Sequence, residues 1–488
     1  MTIGAPPGRH GQPWRTAAIE GRAPRRSGAA GSAARVALAG LGAAIVVAPL
    51  ALGIPLPTLV LGLGTLAVVT AVAIHPPLAA YLLLATTPLI VGIERGVAIP
   101  VLRPNEALLL LICGGLVSRG LVRLAAGLRP HLRVGPLDAA IVALAVTSSL
   151  TPLLWMAARG KQITSDDVLY ALTMWKFLGV YLIVRSSIRT ERQAHRCLWI
   201  SVTVACVVAV VAILQALELF GVPGLLARWY VTPGREAQLF DARGTATLGS
   251  SFAVADVMVF NLAVAFGLLF WKRRRQATVI GMAILLLLGI PASGQVSGII
   301  GLVVGVVAIG LLTRRLTRVG MLLLGVAPIA LVVFQPVIAR RMGDLDPVTG
   351  LPYSWVARVR NLRTHFWPEL FSDFSFVLGV RPSARVEVHR AGRDFLWIES
   401  GHTWLLWTGG IPLFVAFCWF LLVSLRKTAR VARARADAIG IAALASFSGL
   451  SVVAVLMTLD PHLTLRGTAD LLFSLLALAC IRDAQRQE

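Results

Sequence analysis

The sequence predicts an all-α polytopic membrane protein of about 12–14 transmembrane helices, with one large, partly helical external loop. Three observations point there. Of 488 residues, 57% are hydrophobic and only 14% charged, where a soluble surface needs roughly 25% charged residues. Apolar runs long enough to cross a bilayer recur along most of the chain, which gives a mean hydropathy of +0.79. The short connections rich in arginine fall on alternate turns of the chain. Together these exclude a soluble enzyme.

A crossing helix needs about 20 predominantly apolar residues. On that measure the spans fall near 36–54, 57–75, 76–93, 105–118, 136–156, 168–184, 197–219, 252–271, 277–292, 297–313, 320–337, 403–425, 438–457 and 468–481. Residues 1–35 read as a disordered basic cytoplasmic tail, too long for a cleaved signal peptide. Then come an N-terminal bundle (36–219), a core with the large loop (220–425, the loop being 338–401) and a C-terminal hairpin with a short tail (426–488).

The formal charge of +23 would suit a nucleic-acid binder if it were clustered on a soluble surface. Instead, segments 118–133, 185–196, 272–275, 314–318 and 426–435 and the two tails hold 28 of the 46 basic residues. With both termini cytoplasmic, all of these fall on one side, as the positive-inside rule requires. The partner expected is therefore a lipid bilayer, and no nucleic acid. Only four basic residues are Lys (Lys161, Lys176, Lys272, Lys427), which reads as base composition. The five cysteines form no CxxC pair and read as small apolar fillers.

Two external segments are long, Gly221–Gly249 and Ile338–Gly401. The second carries Trp355, Phe366, Trp367, Phe371, Phe374, Phe376 and Trp397, too aromatic for disorder. It is expected to fold as amphipathic helices on the outer membrane face. Arginines recur in both segments, among them Arg243, Arg358, Arg360 and Arg363. Long loops escape the positive-inside rule, so solvated faces account for them as well as an anion site does. As an anion site they suit a lipid-borne diphosphate, because guanidinium offers a fork of donors and stays charged.

His402 lies where the large loop re-enters the membrane. An imidazole with an ordinary pKa of about 6.5 suits removal of a hydroxyl proton, although a single His at an interface is more often structural. Glu399 stands ready to orient it or to act as base itself; His365 and His389 are weaker candidates. Lys176 and Asp256 fall inside spans, where an ionisable group costs about 2.5–3.5 kcal/mol on insertion scales and needs a partner. Pairing of these two helices through Lys176 and Asp256 and a functional role are equally open. No phosphate-binding GxxxxGK[ST] loop, HExxH or metal-spaced His/Cys cluster occurs. Asp344 and Asp346 form a lone DxD. No metal and no cofactor is expected.

Four stretches carry a resemblance. They are Arg243-Gly-Thr-Ala-Thr-Leu-Gly249, Ser293-Gly294-Gln295-Val296-Ser297-Gly298, the run Arg358 to Trp367 followed by Val377-Leu-Gly379-Val, and Gly401-His402-Thr403-Trp404-Leu405 followed by Gly409-Gly410-Ile411-Pro412. Their order and spacing resemble the O-antigen ligase and polymerase family of bacterial envelope proteins over about two fifths of the chain, residues 220–425. Three departures stand out: Ser250-Ser251-Phe252 replaces Asn-Pro-Asn, Val296 replaces an arginine, and Thr403 replaces an asparagine.

The resemblance implies metal-independent, inverting glycosyl transfer at the outer face of the plasma (inner) membrane. The donor would be an oligosaccharide on an isoprenoid diphosphate such as undecaprenyl diphosphate, the acceptor another glycan, and the neighbours envelope polysaccharide assembly proteins. His402 would take the acceptor proton. Arg243 and Arg360, with Arg358 or Arg363, would hold the leaving diphosphate. Polymerisation is favoured over ligation. Two other readings stay open, a transporter or flippase of lipid-linked sugars and a non-catalytic assembly protein.

Overall fold

The computed structural model describes residues 56–481 apart from 96, 98, 100–101, 129–133, 231–242, 272–275 and 391–392. The expected tail 1–35, the expected span 36–54, the basic run 272–275 and Arg235 lie outside the described residues. Chain contacts divide the molecule into Met1–Ala67 and Val68–Glu488. Of the first unit, the described part is the opening of one helix, Leu56–Ile74 (α1). The account below concerns the second unit.

It is an all-α polytopic membrane protein. After α1 come α2 (Pro77–Ile90), α3 (Pro104–Ala125), α4 (Pro136–Ala158), α5 (Ser165–Ser187) and α6 (Glu191–Ala216). Then follow α7 (Ser251–Trp271), α8 (Gln276–Ala292), α9 (Val296–Thr313) and α10 (Leu316–Val333). The last three are α11 (Gly401–Ala434), α12 (Ala438–Leu456) and α13 (Thr468–Leu478). Each expected span within the described residues coincides with one of these helices. Nine are long and apolar enough to cross a membrane, and four more are shorter apolar helices. Three clearly outgrow their apolar runs: α3 continues to Ala125, α6 starts at Glu191, and α11 continues to Ala434 as a basic helical extension.

The helices run alternately up and down, so one face collects the ends of α2, α4, α6, α8, α10 and α12 with the starts of α3, α5, α7, α9, α11 and α13. The arginine-rich connections gather on the other face. There Arg119 donates to the carbonyl of Ala73 and Arg315 to that of Phe270.

Helix α7 is the centre, with 89% of its apolar window buried, and α12 follows at 78%, while α10 has only 11% and faces outward. Without a hydrophobic drive between helices in lipid, close approach of backbones matters. Gly267 meets this need: a Cβ there would sit 2.6 Å from Ile441. Phe473 stacks on both Phe177 (5.5 Å) and Phe420 (5.7 Å), which joins α13 to α5 and α11.

The large loop is only partly helical. Short helices at Gln335–Gly343, Tyr353–Asn361 and Trp367–Phe371 give way to an antiparallel hairpin of β1 (Arg385–Arg390) and β2 (Arg393–Trp397). The loop is thus partly helical, as expected, and the hairpin is the element that the expectation of amphipathic helices did not include. Val386 and Val388 repeat every second residue between polar neighbours, a strand period, and Ala391-Gly392 separates the two runs.

The connection between α4 and α5 clamps this loop. Arg159 donates to Ser375 (2.9 Å) and pairs with Asp373 (3.3 Å), and Lys161 reaches Glu369 (3.4 Å). Asp167 is fully buried, and its carboxylate accepts from Arg381 at 3.0 and 2.7 Å and from the Thr164 hydroxyl at 2.8 Å. Asp166 pairs with Arg385, and Tyr170 packs on Trp397 at 5.9 Å.

Candidate functional site

The clamped loop lies over the face where α11 begins, and a buried charged network forms beneath it. Asp256, in the second turn of α7, is 1% exposed and so is His462, from the short connection between α12 and α13. Their Oδ2 and Nδ1 atoms are 2.6 Å apart. Burial by itself would lower the His462 pKa, but the Asp256 carboxylate overrides it and holds the imidazole above its ordinary value. Nε2 of His462 is enclosed and has no hydrogen-bond partner among the described residues.

The backbone N–H of His462 donates to the carbonyl of Asp460 at 2.7 Å. The Asp460 carboxylate lies 2.9 Å from Nη1 of Arg358. Burial pushes the Asp460 carboxyl up, against the opposing pull of Arg358 and His462. Arg358 reaches it from the large loop; its Nε is 3.7 Å from Glu399, and its guanidinium covers the Phe252 ring at 5.4 Å. Phe252 in turn meets His462 edge-on at 6.2 Å. A guanidinium and an imidazole are thus set among three carboxylates, in a setting where an isolated charge would be costly.

His402 stands beside this network. It is the second residue of α11, whose first turn is capped by Ser400 accepting from the Thr403 N–H (3.3 Å). The preceding Gly401 has no room for a side chain, since a Cβ would fall 2.6 Å from the Met457 carbonyl. That contact draws the start of α11 against the segment leading to Asp460 and His462. His402 is half-exposed, with its ring 6.4 Å from Phe414 and no hydrogen bond among the described residues. Glu399, expected to orient His402, is turned toward Arg358.

The three arginines of the loop helix part company. Arg358 is 9% exposed and engaged in the network, whereas Arg360 and Arg363 are exposed. Two residues on, the π-turn Leu362–Phe366 holds His365, whose Nε2 is enclosed without a hydrogen-bond partner among the described residues.

Arg243 is half-buried and opens a segment wedged among helix ends. The Gly244 N–H donates to Ala292 (2.9 Å), the Ala246 N–H to Gln215 (2.8 Å) and the Thr247 hydroxyl to Pro88 (2.7 Å). In the turn Ser293–Gly298, Gln295 donates to Ser251 at 2.5 Å. A guanidinium from the following loop reaches this turn: Nε of Arg341 donates to the Gly294 carbonyl at 2.8 Å.

The intramembrane residues have partners other than each other. Lys176 lies 3.3 Å from Asp470 and over the Phe177 ring at 4.8 Å, while Asp256 belongs to His462. Pairing of Lys176 with Asp256 is corrected accordingly, because α13 comes between their helices. Asp344 and Asp346 serve their own loop: Asp344 pairs with Arg341 (2.7 Å), and Asp346 accepts from the backbone of Val348 and Thr349, both at 2.9 Å. Those backbone donors hold the Asp346 carboxyl below the usual carboxylate range. Among the described residues no three His, Cys, Asp or Glu side chains gather as a metal site.

Sequence reasoning missed Asp460 and His462. Their signal was Asp-Pro-His between two apolar runs, three residues with no recognisable spacing. It also missed the ion-pair chain in which Arg103 and Arg466 share Glu94 at 3.2 Å each, while Arg95 pairs with Glu106 at 2.8 Å.

The fold defines a polytopic helical membrane protein, with a buried charged network next to its large loop. The chain matches no family model, no curated protein and no solved structure.

Proposed function

We propose that the protein is a glycosyltransferase of the plasma membrane's outer face, with both termini cytoplasmic, that polymerises surface polysaccharide from an isoprenoid-diphosphate-linked glycan. One observation supports this most. A half-exposed His402 with no internal hydrogen bond stands beside a buried ionic network, beneath a clamped loop that presents the exposed cations Arg360 and Arg363.

In this reading His402 accepts the proton of an acceptor hydroxyl as its oxygen attacks the anomeric carbon. The bond from that carbon to the diphosphate breaks, and the electron pair leaves with the diphosphate, inverting the centre. Arg360, Arg363 and Arg243 stabilise the departing charge, which favours donors fixed in place before the reaction. Arg358, already set between Glu399 and Asp460, positions the loop rather than the leaving group. Arg341 at the Ser293–Gly298 turn adds a cation that the linear motif lacks.

The test is lipid-linked glycan analysis in a deletion strain complemented with wild type or His402→Ala. Single repeat units that accumulate, and that His402→Ala fails to clear, support polymerisation through this residue. Long polymer stranded on the isoprenoid lipid indicates ligation instead. Intermediates held on the cytoplasmic leaflet would point to the flippase reading, and full rescue by His402→Ala to non-catalytic assembly.

A further inference from the structure

The face opposite this site has a feature that the proposed reaction does not use. A cleft of about 910 Å³ opens between the end of α5, the start of α4 and the basic extension of α11. That volume lies within the range of small-molecule sites. It is lined by the apolar Pro136, Leu137, Val423 and Ile481 and by the basic Arg185, Arg189, Arg426, Lys427 and Arg430.

One carboxylate lines the cleft, Asp138. It is already taken: it pairs with Arg185 and accepts from the Tyr181 hydroxyl (2.8 Å) and the Gly135 N–H (2.6 Å). Arg189, Arg426, Lys427 and Arg430 have no carboxylate partner among the described residues. The positive-inside bias asks only that basic residues lie somewhere on this face. Here segments more than 230 positions apart bring around one hollow four cations with no carboxylate partner among the described residues. On α11 itself Arg426 and Arg430 are one turn apart, a like-charge spacing that is mildly unfavourable in an isolated helix.

We infer that this cleft binds a phosphate-bearing anion, and that its mixed apolar and cationic lining fits the headgroup of an anionic lipid with two phosphates. Guanidinium pairs bind phosphate through paired donors. Basic pockets between helices at a membrane face are suited to such headgroups.

The experiment uses the full chain in detergent, titrated with cardiolipin, phosphatidylglycerol, phosphatidylcholine or inorganic diphosphate. Bound lipid is counted by native mass spectrometry, and the unfolding midpoint is followed in parallel. Cardiolipin is expected to bind saturably and raise the midpoint. Its affinity should fall about a hundredfold in the triple variant Arg189→Gln, Arg426→Gln, Arg430→Gln. The control Arg123→Gln, Arg314→Gln, Arg318→Gln removes equal charge from the same face outside the cleft and should retain binding. Inorganic diphosphate acting alone, with no gain from cardiolipin, supports the phosphate site and assigns it to a soluble anion. Equal losses in both variants, or wild type that retains cardiolipin no better than phosphatidylcholine, overturn the inference. The wild-type comparison decides even if the triple variant fails to fold.

Discussion

Asp256 and His462 lie 206 positions apart in the chain, yet their side chains meet at 2.6 Å with almost no exposure. This contact ties the central helix α7 to the connection between α12 and α13. The same connection carries Asp460, the carboxylate that receives Arg358 from the large loop. A membrane-embedded carboxylate, a loop imidazole and a loop guanidinium are therefore parts of one network.

Removing one member of a buried pair leaves the other uncompensated, at a cost of about 3–5 kcal/mol. Asp256→Asn and His462→Gln should each destabilise by about that much. The double variant should lose clearly less than the sum. Unfolding of the purified chain in detergent measures all three.

The same pair gives stability a pH dependence. The folded His462 pKa lies above its ordinary 6.5. Its contribution is then fully present below pH 6.5 and is lost as pH rises through the raised folded value. Wild type should exceed His462→Gln most at pH 5–6, and the gap should narrow at higher pH. A gap independent of pH would assign the imidazole a packing role alone.

Arg358 and Asp460 should behave as a structural pair. Arg358→Gln is expected to destabilise the fold and loosen the loop. Arg360→Gln and Arg363→Gln, both at exposed positions, should change stability by less than about 0.5 kcal/mol. If the proposed reaction holds, those two variants nonetheless reduce polymer formation. His402→Ala reduces it by about 10²–10⁴-fold, the usual worth of a positioned base. Polymer yield and unfolding midpoint, read on the same preparations, separate the two roles.

The loop clamp predicts a local effect. Asp167→Asn weakens the two contacts from Arg381 to a fully buried carboxylate. Hydrogen exchange should then rise across 375–397 while α7 and α12 keep their protection. Uniform protection would show that the hairpin is held without Asp167.

Gly410 offers a backbone test. It sits within α11 at φ +64°, and a Cβ there would come 2.3 Å from the Val377 carbonyl. Gly410→Ala should destabilise strongly, whereas Gly179→Ala, where the space is open, should be close to neutral. The Gly409-Gly410 pair is legible in the sequence as a motif, but the approach of Val377 that requires glycine is not.

Much of the fold was legible because hydropathy is a local property. A run such as 438–457 declares a helix whatever its neighbours are, and Ala438–Leu456 follows from it. The candidate site was legible only where a residue's position along the chain was informative, as with His402 at a span entry and Arg358 in a loop helix. Strand alternation at Arg385–Arg390 was present but short, and a loop rich in aromatics suggested helices instead.

By itself the sequence determined where the chain crosses the membrane and which connections are basic. Tertiary structure alone decided who pairs with whom. Lys176 took Asp470, 294 positions away, rather than Asp256, and Glu399 turned to Arg358 rather than to His402. The physical reason is range. Apolar patterning acts through each segment's own transfer into lipid, whereas an ion pair or hydrogen bond acts over about 3–4 Å and exists only once helix order and rotation are fixed.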